Sequence, residues 1–445
     1  MTRQHAVYLR WGLYPLRKTN WVCGAVLLML LFFCAASTAK AATVKEMVRV
    51  LLESNEQILT ATEEVRAARS LARATLGEWF PQLDLTMSYG EHGNHDGEGS
   101  VPTSESKVEL SQLLWDFGAT NASIRAARLR LEEKELLLKK ARQQLLLDGV
   151  TSYINLIKTH QVLAHSIKSE QNIKRQTGLE ELRVSSGAGY STDLLQSQAQ
   201  LAAAKSRRLL SEGEYLKAEN RFIELFGNLP PNIPRQGYPR LGSLAGQMPG
   251  ARSTALSRAL KDNIDLRLAK IADQLAKEEL RRTQSSELGP TIKFVVEHSD
   301  RMNDNGVLDT DKEETIAKVE LTMPFNLGLT AFDKIDAAKA GYAARTNKTV
   351  TLAKTTERQV RDGWQQLRTA KLRAHTLREQ SKISAAFLDL ARKERELGNR
   401  SLLDVLSGET ALINAQSDSV AARADILIST LNLLDKLGQL SLEQL

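Results

Sequence analysis

Residues 82–90 read QLDLTMSYG, and apolar side chains occupy every second position of this stretch. That alternation has the period of two that is typical of a β-strand with one apolar and one polar face. The preceding residues 44–79 carry apolar side chains at helical spacing, and Phe80-Pro81 separates the two patterns. The sequence therefore predicts a long helix that ends at an aromatic-proline pair and leads directly into a strand.

The strand is predicted to begin a hairpin, and a second hairpin follows later in the chain. A polar loop at 92–104 leads to alternating residues 107–111, and residues 291–296, a loop at 300–314 and residues 317–323 repeat the plan. Each strand is expected to have about nine or ten residues, which is the length that a tilted strand needs to cross a bilayer. Two hairpins capping a soluble helical bundle would show the same pattern, so the lengths alone do not decide between these alternatives.

Aromatic residues favour the membrane alternative. They are scarce in the chain as a whole, yet several flank one end of the two predicted hairpins, where an interfacial girdle would lie. These predicted membrane-interface residues are Trp79, Phe80, Trp115, Phe117 and Phe325.

Two very long helices are predicted after the hairpins, at residues 119–182 and 330–396, each roughly 100 Å long by the rise of 1.5 Å per residue. Neither stretch contains proline, and each ends at a glycine-containing turn from which a shorter helix returns. The economical arrangement places two short helices end to end beside each long one, with coiled-coil-like packing. The predicted fold class is α+β, mainly α.

The sequence is duplicated at a constant offset of about 211 residues. Tyr153 corresponds to Trp364, and Phe226-Gly227 corresponds to Leu437-Gly438. We therefore predict a first structural repeat at residues 42–227, a connector rich in proline and glycine at 228–250, and a second repeat at 251–445.

The N-terminus resembles a secretory signal peptide, with basic residues, an apolar run and then Ala39-Lys40-Ala41. Cleavage is expected between Ala41 and Ala42, so residues 1–41 would be removed, and the net charge of +7 would fall to about +2. Both cysteines lie in this segment, which excludes disulfides from the mature chain. No later stretch is apolar enough for a transmembrane helix, so a membrane crossing would use strands. No basic cluster with interleaved aromatics indicates a nucleic-acid partner.

Catalytic and metal-binding patterns are absent from the sequence. Only His92, His95 and Asp96 have a ligand-like spacing, and they fall in a predicted loop without a fourth ligand, so we expect no metal site and no cofactor. No glycine-rich phosphate loop and no nucleophile–histidine grouping occurs. The protein is predicted not to be an enzyme.

The polar residue of most interest is Asp404, whose repeat mate is Asp193, because both lie just beyond the glycine turns. Ser401 and Asp404 form a helix capping box, and an acid in the first turn also suits the helix dipole. Alternatively, several copies of these turns around an axis would form a ring of carboxylates that narrows and charges an opening. Both roles are compatible.

At these residues the chain resembles the TolC family of outer-membrane channels. The stretches that carry the resemblance are GNRSLLDVL at 398–406, ALINAQ at 411–416, LGQL at 437–440 and ELTMPFNLG at 320–328. In that family three protomers, each with four strands, close one 12-stranded barrel that continues as a helical tunnel across the periplasm. The resemblance implies the same trimer here, in contact with outer-membrane lipid.

The resemblance also implies roles for single residues. Asp404 matches the aspartate that lines the closed periplasmic gate, Arg400 matches the arginine that helps to hold it shut, and Asp193 matches its partner acid. Ser407 stands where the family pattern has a second aspartate, so weaker block by cations is expected. The residues of the turns would be docking points for a periplasmic adaptor protein: Gly187, Gly189, Gly398 and Asn399.

The function implied by the resemblance is that of a passive exit duct in type I protein secretion or multidrug efflux. It would work with a periplasmic adaptor, also called a membrane fusion protein, and with an inner-membrane ABC or proton-driven pump. Opening would untwist the helices at the two turns. A periplasmic coiled-coil scaffold or adaptor is the alternative that the long helices also permit.

Overall fold

The computed structural model describes residues 44–93, 100–229, 237–238, 248–325 and 327–444. The predicted signal peptide, His95 and Asp96 lie outside the described residues.

The same order of elements occurs twice. The first set is α1 Val44–Ser54, α2 Glu56–Leu76, β1 Gln82–Gly93, β2 Ser100–Trp115, α3 Ala119–Ser185 and α4 Ser191–Phe226. The second set is α5 Arg252–Asp262, α6 Ile264–Leu288, β3 Thr291–Met302, β4 Lys312–Thr322, α7 Thr330–Glu396 and α8 Leu402–Lys436. The exact repeat boundaries stay a prediction.

The prediction of one continuous helix at 44–79 is wrong. The helix is interrupted at Asn55, and its second part ends at Leu76, where a 3₁₀ turn at Gly77–Trp79 follows. The side chain of Asn55 accepts a hydrogen bond of 3.0 Å from the backbone N–H of Gln57 and so caps α2. Asn263 caps α6 in the same way, with 3.0 Å to the N–H of Leu266. Asparagine favours such an N-cap because its side chain replaces the missing helical acceptor.

The helices form a wall built on the two long helices, α3 and α7, each of 67 residues. Helices α2 and α4 pack along α3, while α6 and α8 pack along α7. Helices α6 and α8 also contact α3, so the lateral order is α2-α3-α6-α7 in one half and α4-α3-α8-α7 in the other. This arrangement confirms the predicted pairing of two short helices with each long one.

The main apolar core lies where the short helices meet end to end. Fully buried members come from five helices of both repeats and include Val48, Val150, Ile154, Ala255, Val360 and Leu431. Trp364, the repeat mate of Tyr153, packs against this cluster, and Tyr153 is buried in the adjoining one. Burial of this apolar surface fixes the two repeats to each other at mid-length.

The four strands form one antiparallel sheet in the order β1-β2-β3-β4. They have 12, 16, 12 and 11 residues, so they are longer than predicted and the two loops are shorter. Several polar residues that were predicted to lie in the loops continue the strand pairing instead, since Gly93 pairs with Ser100 and Arg301 pairs with Lys312. Polar side chains are compatible with a strand wherever the face that they occupy is solvated.

The register separates the sheet into an apolar and a polar face. On one face Leu83 lies opposite Leu110, which in turn lies opposite Val296. On the other face, cross-strand ion pairs join Lys107 to Glu297 at 3.2 Å and Arg301 to Glu105 at 2.9 Å. The apolar face is exposed, with Leu83, Leu85, Met87 and Tyr89 between 63% and 77% accessible. In the described residues, β1 and β4 each pair on one side only.

Among the described helices, the structure contains none that is long and apolar enough to span a bilayer.

The two equivalent helix caps provide a test of the fold. Asn263 is 4% exposed and also donates a 2.9 Å hydrogen bond to the carbonyl of Lys436, whereas Asn55 lies at a half-buried break and only caps its helix. We expect Asn55→Ala to cost about 1 kcal/mol, and Asn263→Ala to cost more than about 2 kcal/mol because it leaves buried groups unpaired. Thermal unfolding followed by circular dichroism would measure the difference, and equal losses would contradict the assigned roles.

Candidate functional site: the turn end of the helical wall

The two turns that reverse the chain at the end of the long helices have the same backbone geometry. Gly187 has φ +77° and Gly398 has φ +81°, and both are exposed. The N–H of Ala188 donates to the carbonyl of Arg183 at 2.8 Å, and the N–H of Asn399 donates to that of Glu394 at 2.9 Å. These are Schellman caps, which require a left-handed residue and therefore favour glycine. Gly189 lies between the first cap and α4.

Asp404 belongs to the capping box of α8. The hydroxyl of Ser401 accepts from the backbone N–H of Asp404 at 3.2 Å and donates to the Oδ2 of Asp404 at 2.8 Å. The predicted cap is therefore confirmed. The Asp404 side chain is still 48% exposed, so its charge also faces solvent at the turn end.

Arg400 is held by residues of its own repeat. Its Nη1 lies 2.7 Å from the Oε2 of Glu394, its Nε lies 3.6 Å from the Oδ2 of Asp404, and its guanidinium stacks 5.2 Å from the ring centre of Phe387. The hydrogen bond with Glu394 raises the pKa of Arg400 above its ordinary value, and the charge of Asp404 adds to this effect. Within the described residues Asp193 has no ion pair. Its predicted role as partner acid stays a prediction.

A buried ion pair that sequence reasoning missed connects the two repeats just above the turns. Glu180 of α3 is 4% exposed and lies 3.2 Å from the Nη2 of Arg395 on α7. The same arginine donates through Nη1 to the carbonyl of Arg400 at 3.2 Å. Glu180 therefore anchors α7 and the following turn to α3.

A second buried carboxylate, Glu409, joins three helices. It lies on α8 between α3 and α7, where Asn172 donates to its Oε1 at 2.9 Å and Arg392 donates to its Oε2 at 2.5 Å. One signal could have found it. Glu409 continues the buried stripe of α8 at helical spacing, so a charged residue stands at a core-facing position; the apolar members of the stripe are Leu402, Val405, Leu406 and Ile413.

These two contacts make a polar joint, which we define as Glu180–Arg395 together with Asn172–Glu409–Arg392. The main core holds the repeats by apolar burial, whereas the polar joint holds them by charged hydrogen bonds. A buried ion pair adds little net stability because desolvation offsets its attraction, yet loss of one partner is costly. The polar joint is therefore specific in geometry, and it lies beside smaller apolar clusters that contain Leu402, Val405 and Leu406 of α8.

The predicted interface aromatics lie at the opposite end of the wall, where the strands meet the helices. Trp115 and Phe117 make an edge-to-face contact with ring centres 6.1 Å apart. The carbonyl of Trp79 accepts a 2.7 Å hydrogen bond from the side chain of Gln112. Phe80 and Phe325 are 67% and 81% exposed. All five residues flank the end of the sheet at which the strands connect to the helices.

A sheet with an exposed apolar face and a long helical wall define a class of protein that enters a membrane by its strands and extends away from it by its helices. The sequence model for outer membrane efflux proteins matches residues 47–228 and 255–439. The chain belongs to the outer membrane efflux protein family. It is an outer-membrane protein with a periplasmic extension.

Individual relatives agree with this assignment. The chain is 22% identical to the outer membrane protein TolC of Escherichia coli over 414 residues, which covers 88% of this chain and 81% of the relative. It is 22% identical to the outer membrane efflux protein BepC of Brucella suis over 338 residues, covering 76% and 73%. The fold is similar to that of the CmeC outer membrane channel of Campylobacter jejuni, with TM-score 0.76, 15% identity, and 89% and 85% coverage.

The polar joint leads to a prediction about Glu180. Glu180→Gln keeps the shape of the side chain but removes the charge that pairs with Arg395, and a hydrogen bond to a charged group contributes about 2 kcal/mol. We expect the free energy of local opening at residues 392–401 to fall by that amount, so that amide hydrogen exchange there becomes faster. Exchange in the main core at Val150 and Ile154 is expected to stay unchanged. The exposed neighbour Glu181→Gln is the matched control and is expected to alter neither. Equal protection in the two variants would show that Glu180 does not hold the turn.

Proposed function

We propose that the chain is one protomer of a trimeric outer-membrane duct. The observation that carries this proposal is the four-stranded sheet with an exposed apolar face, whose outer strands β1 and β4 each lack a second strand partner within the described residues. In a bilayer every backbone N–H and C=O must be paired, so a sheet with free edges needs further strands at both of them. Identical copies supply these strands when β4 of one chain pairs with β1 of the next.

Three copies are favoured over two by the family to which the chain belongs. Twelve strands then surround a lumen, with the apolar face toward lipid and the ion-paired polar face toward water. Exposed apolar side chains along the helices support contacts between protomers as well. Leu209 and Leu210 on α4 and Leu372 and Ile383 on α7 are each more than half exposed in the single chain. Three such walls placed side by side would continue the barrel as a tunnel.

The proposed mechanism is gating without catalysis. The turn end is closed when the polar joint is formed, and Asp404 of each protomer then faces the narrowed opening with its exposed carboxylate. Movement of α7 and α8 away from α3 would break the bonds of Glu180 to Arg395 and of Asn172 to Glu409 and widen the opening, while the main core serves as the fixed point. Ser407 in place of a second acid would leave the carboxylate ring with less charge.

The proposed partners dock at the turns. Gly187, Gly398 and Asn399 are exposed, Gly189 is partly exposed, and a periplasmic adaptor would bind there and connect the duct to an inner-membrane ABC or proton-driven pump. In this proposal the pump would supply both the cargo and the work. Type I protein secretion and multidrug efflux both fit such a duct, and the LGQL ending at 437–440 slightly favours secretion.

A periplasmic scaffold or adaptor is the second candidate, since it would also use long helices. The exposed apolar strand face argues against it, because a water-soluble scaffold would leave this patch in contact with water. Detergent extraction from outer-membrane fractions would separate the two candidates.

The gate can be tested by single-channel recording of the mature protein in planar bilayers. We expect small cation-selective steps, and we expect Asp404→Ala to reduce both the cation selectivity and the block by multivalent cations, because it removes the exposed carboxylates at the opening. Ser407→Asp should strengthen the block by adding one charge per protomer. Ser417→Asp, farther along α8, is the control for a charge away from the turn. A well-folded protein without conductance would overturn the duct proposal and favour the scaffold.

A further inference from the structure

The segment that joins β3 to β4, residues 303–311, is anchored to a neighbouring strand. The side chain of Asn303, which is 8% exposed, donates to the carbonyl of Pro102 on β2 at 2.7 Å. Its Oδ1 accepts from the N–H of Asp309 at 2.9 Å, and the N–H of Asp304 donates to the carbonyl of Thr310 at 2.8 Å. Asn303 therefore holds the segment together and attaches it to the sheet.

The segment also reaches β1. A Cβ atom added to Gly306 would lie 2.4 Å from the Cδ2 of His92, so the two residues are in close contact. Gly306 has φ +76°, a conformation that a larger residue rarely adopts. Because β2 lies between β1 and β3 in the sheet, the segment must cross β2 to make this contact.

The strand register decides which face the segment covers. Side chains alternate along β1, so His92 lies on the same face as Asp84 and Thr86 and on the face opposite to Leu83 and its apolar companions. Val101, the cross-strand partner of His92, shares that polar face and is only 8% exposed, although it lies at the end of the sheet far from the helices. The segment therefore folds over the polar face and covers Val101.

We propose that residues 303–311 form a size-selective constriction at the outer mouth of the duct. The inference rests on the proposed function, in which the polar face lines the lumen. In the trimer, three copies of the segment would then lie inside the barrel at the end remote from the periplasm. Asn303 and Gly306 would determine how far each copy projects into the lumen. This constriction is separate from the gate at the helix turns, and it would limit large solutes that enter from the cell exterior.

Cysteine accessibility tests the constriction, because the only two cysteines, Cys23 and Cys34, fall in the predicted signal peptide. Thr86→Cys places a thiol on the polar face below the segment, and Met87→Cys places one on the apolar face. Intact cells are treated with a small maleimide and with a maleimide carrying a large polyethylene glycol. The full chain is compared with a variant in which residues 302–311 are replaced by Asn-Gly, a two-residue hairpin turn that keeps Arg301 opposite Lys312.

We expect the small reagent to modify Thr86→Cys equally in both backgrounds, and the large reagent to react several-fold faster once the segment is replaced. Asn303→Ala should show the same direction of change without a deletion, so it decides the outcome if the replacement does not assemble. The exposed Leu308→Ala is the matched control and should leave the rate unchanged. Equal rates of the large reagent with the full chain, the replacement and Asn303→Ala would overturn the constriction alone. Modification of Met87→Cys as fast as Thr86→Cys would instead overturn the proposed membrane barrel, and the constriction with it.

Discussion

The pairing of strand edges is the constraint on which the rest of the structure depends. β1 and β4 of one chain offer backbone groups that have no partner within the described residues, and hydrocarbon offers none either. An assembly that closes the sheet satisfies these groups, turns the apolar face to lipid and leaves the ion-paired face around water. The long helices begin directly after β2 and β4, so a closed sheet also arranges them side by side.

The helical wall is held together by different kinds of contact at mid-length and near the turns. At mid-length, residues such as Val150 and Val360 are fully buried in an apolar core, which cannot separate without a large loss of hydrophobic free energy. Near the turns, Glu180 and Glu409 join the same helices by charged hydrogen bonds, whose loss can be offset by water or by new polar partners. The wall is therefore held mainly by apolar burial in the middle and by both charged bonds and smaller apolar clusters near the turns, where the proposed gate would lie.

Local patterns predicted the elements well, because helix periodicity, strand alternation and the glycine turns are properties of short stretches. The two long helices, the sheet faces and the capping box of Asp404 follow from such patterns. The break at Asn55 did not, since an asparagine cap and an exposed helical asparagine look alike in sequence. The second loop was predicted too long because Arg301 is polar, yet Arg301 continues β3 and pairs with Glu105 of β2. Glu180 and Arg395 are 215 residues apart, and no short-range pattern joins them.

The most direct test of the central account is whether the free edges pair between chains. Asp84→Cys on β1 is combined in turn with a cysteine at each polar-face position of β4 from 314 to 320, in the mature chain, and the membranes are oxidised. The account predicts that at least one combination yields a covalent species of three chains and none larger, because the ring closes. Monomers alone for every combination, or a ladder that extends beyond three chains, would contradict it.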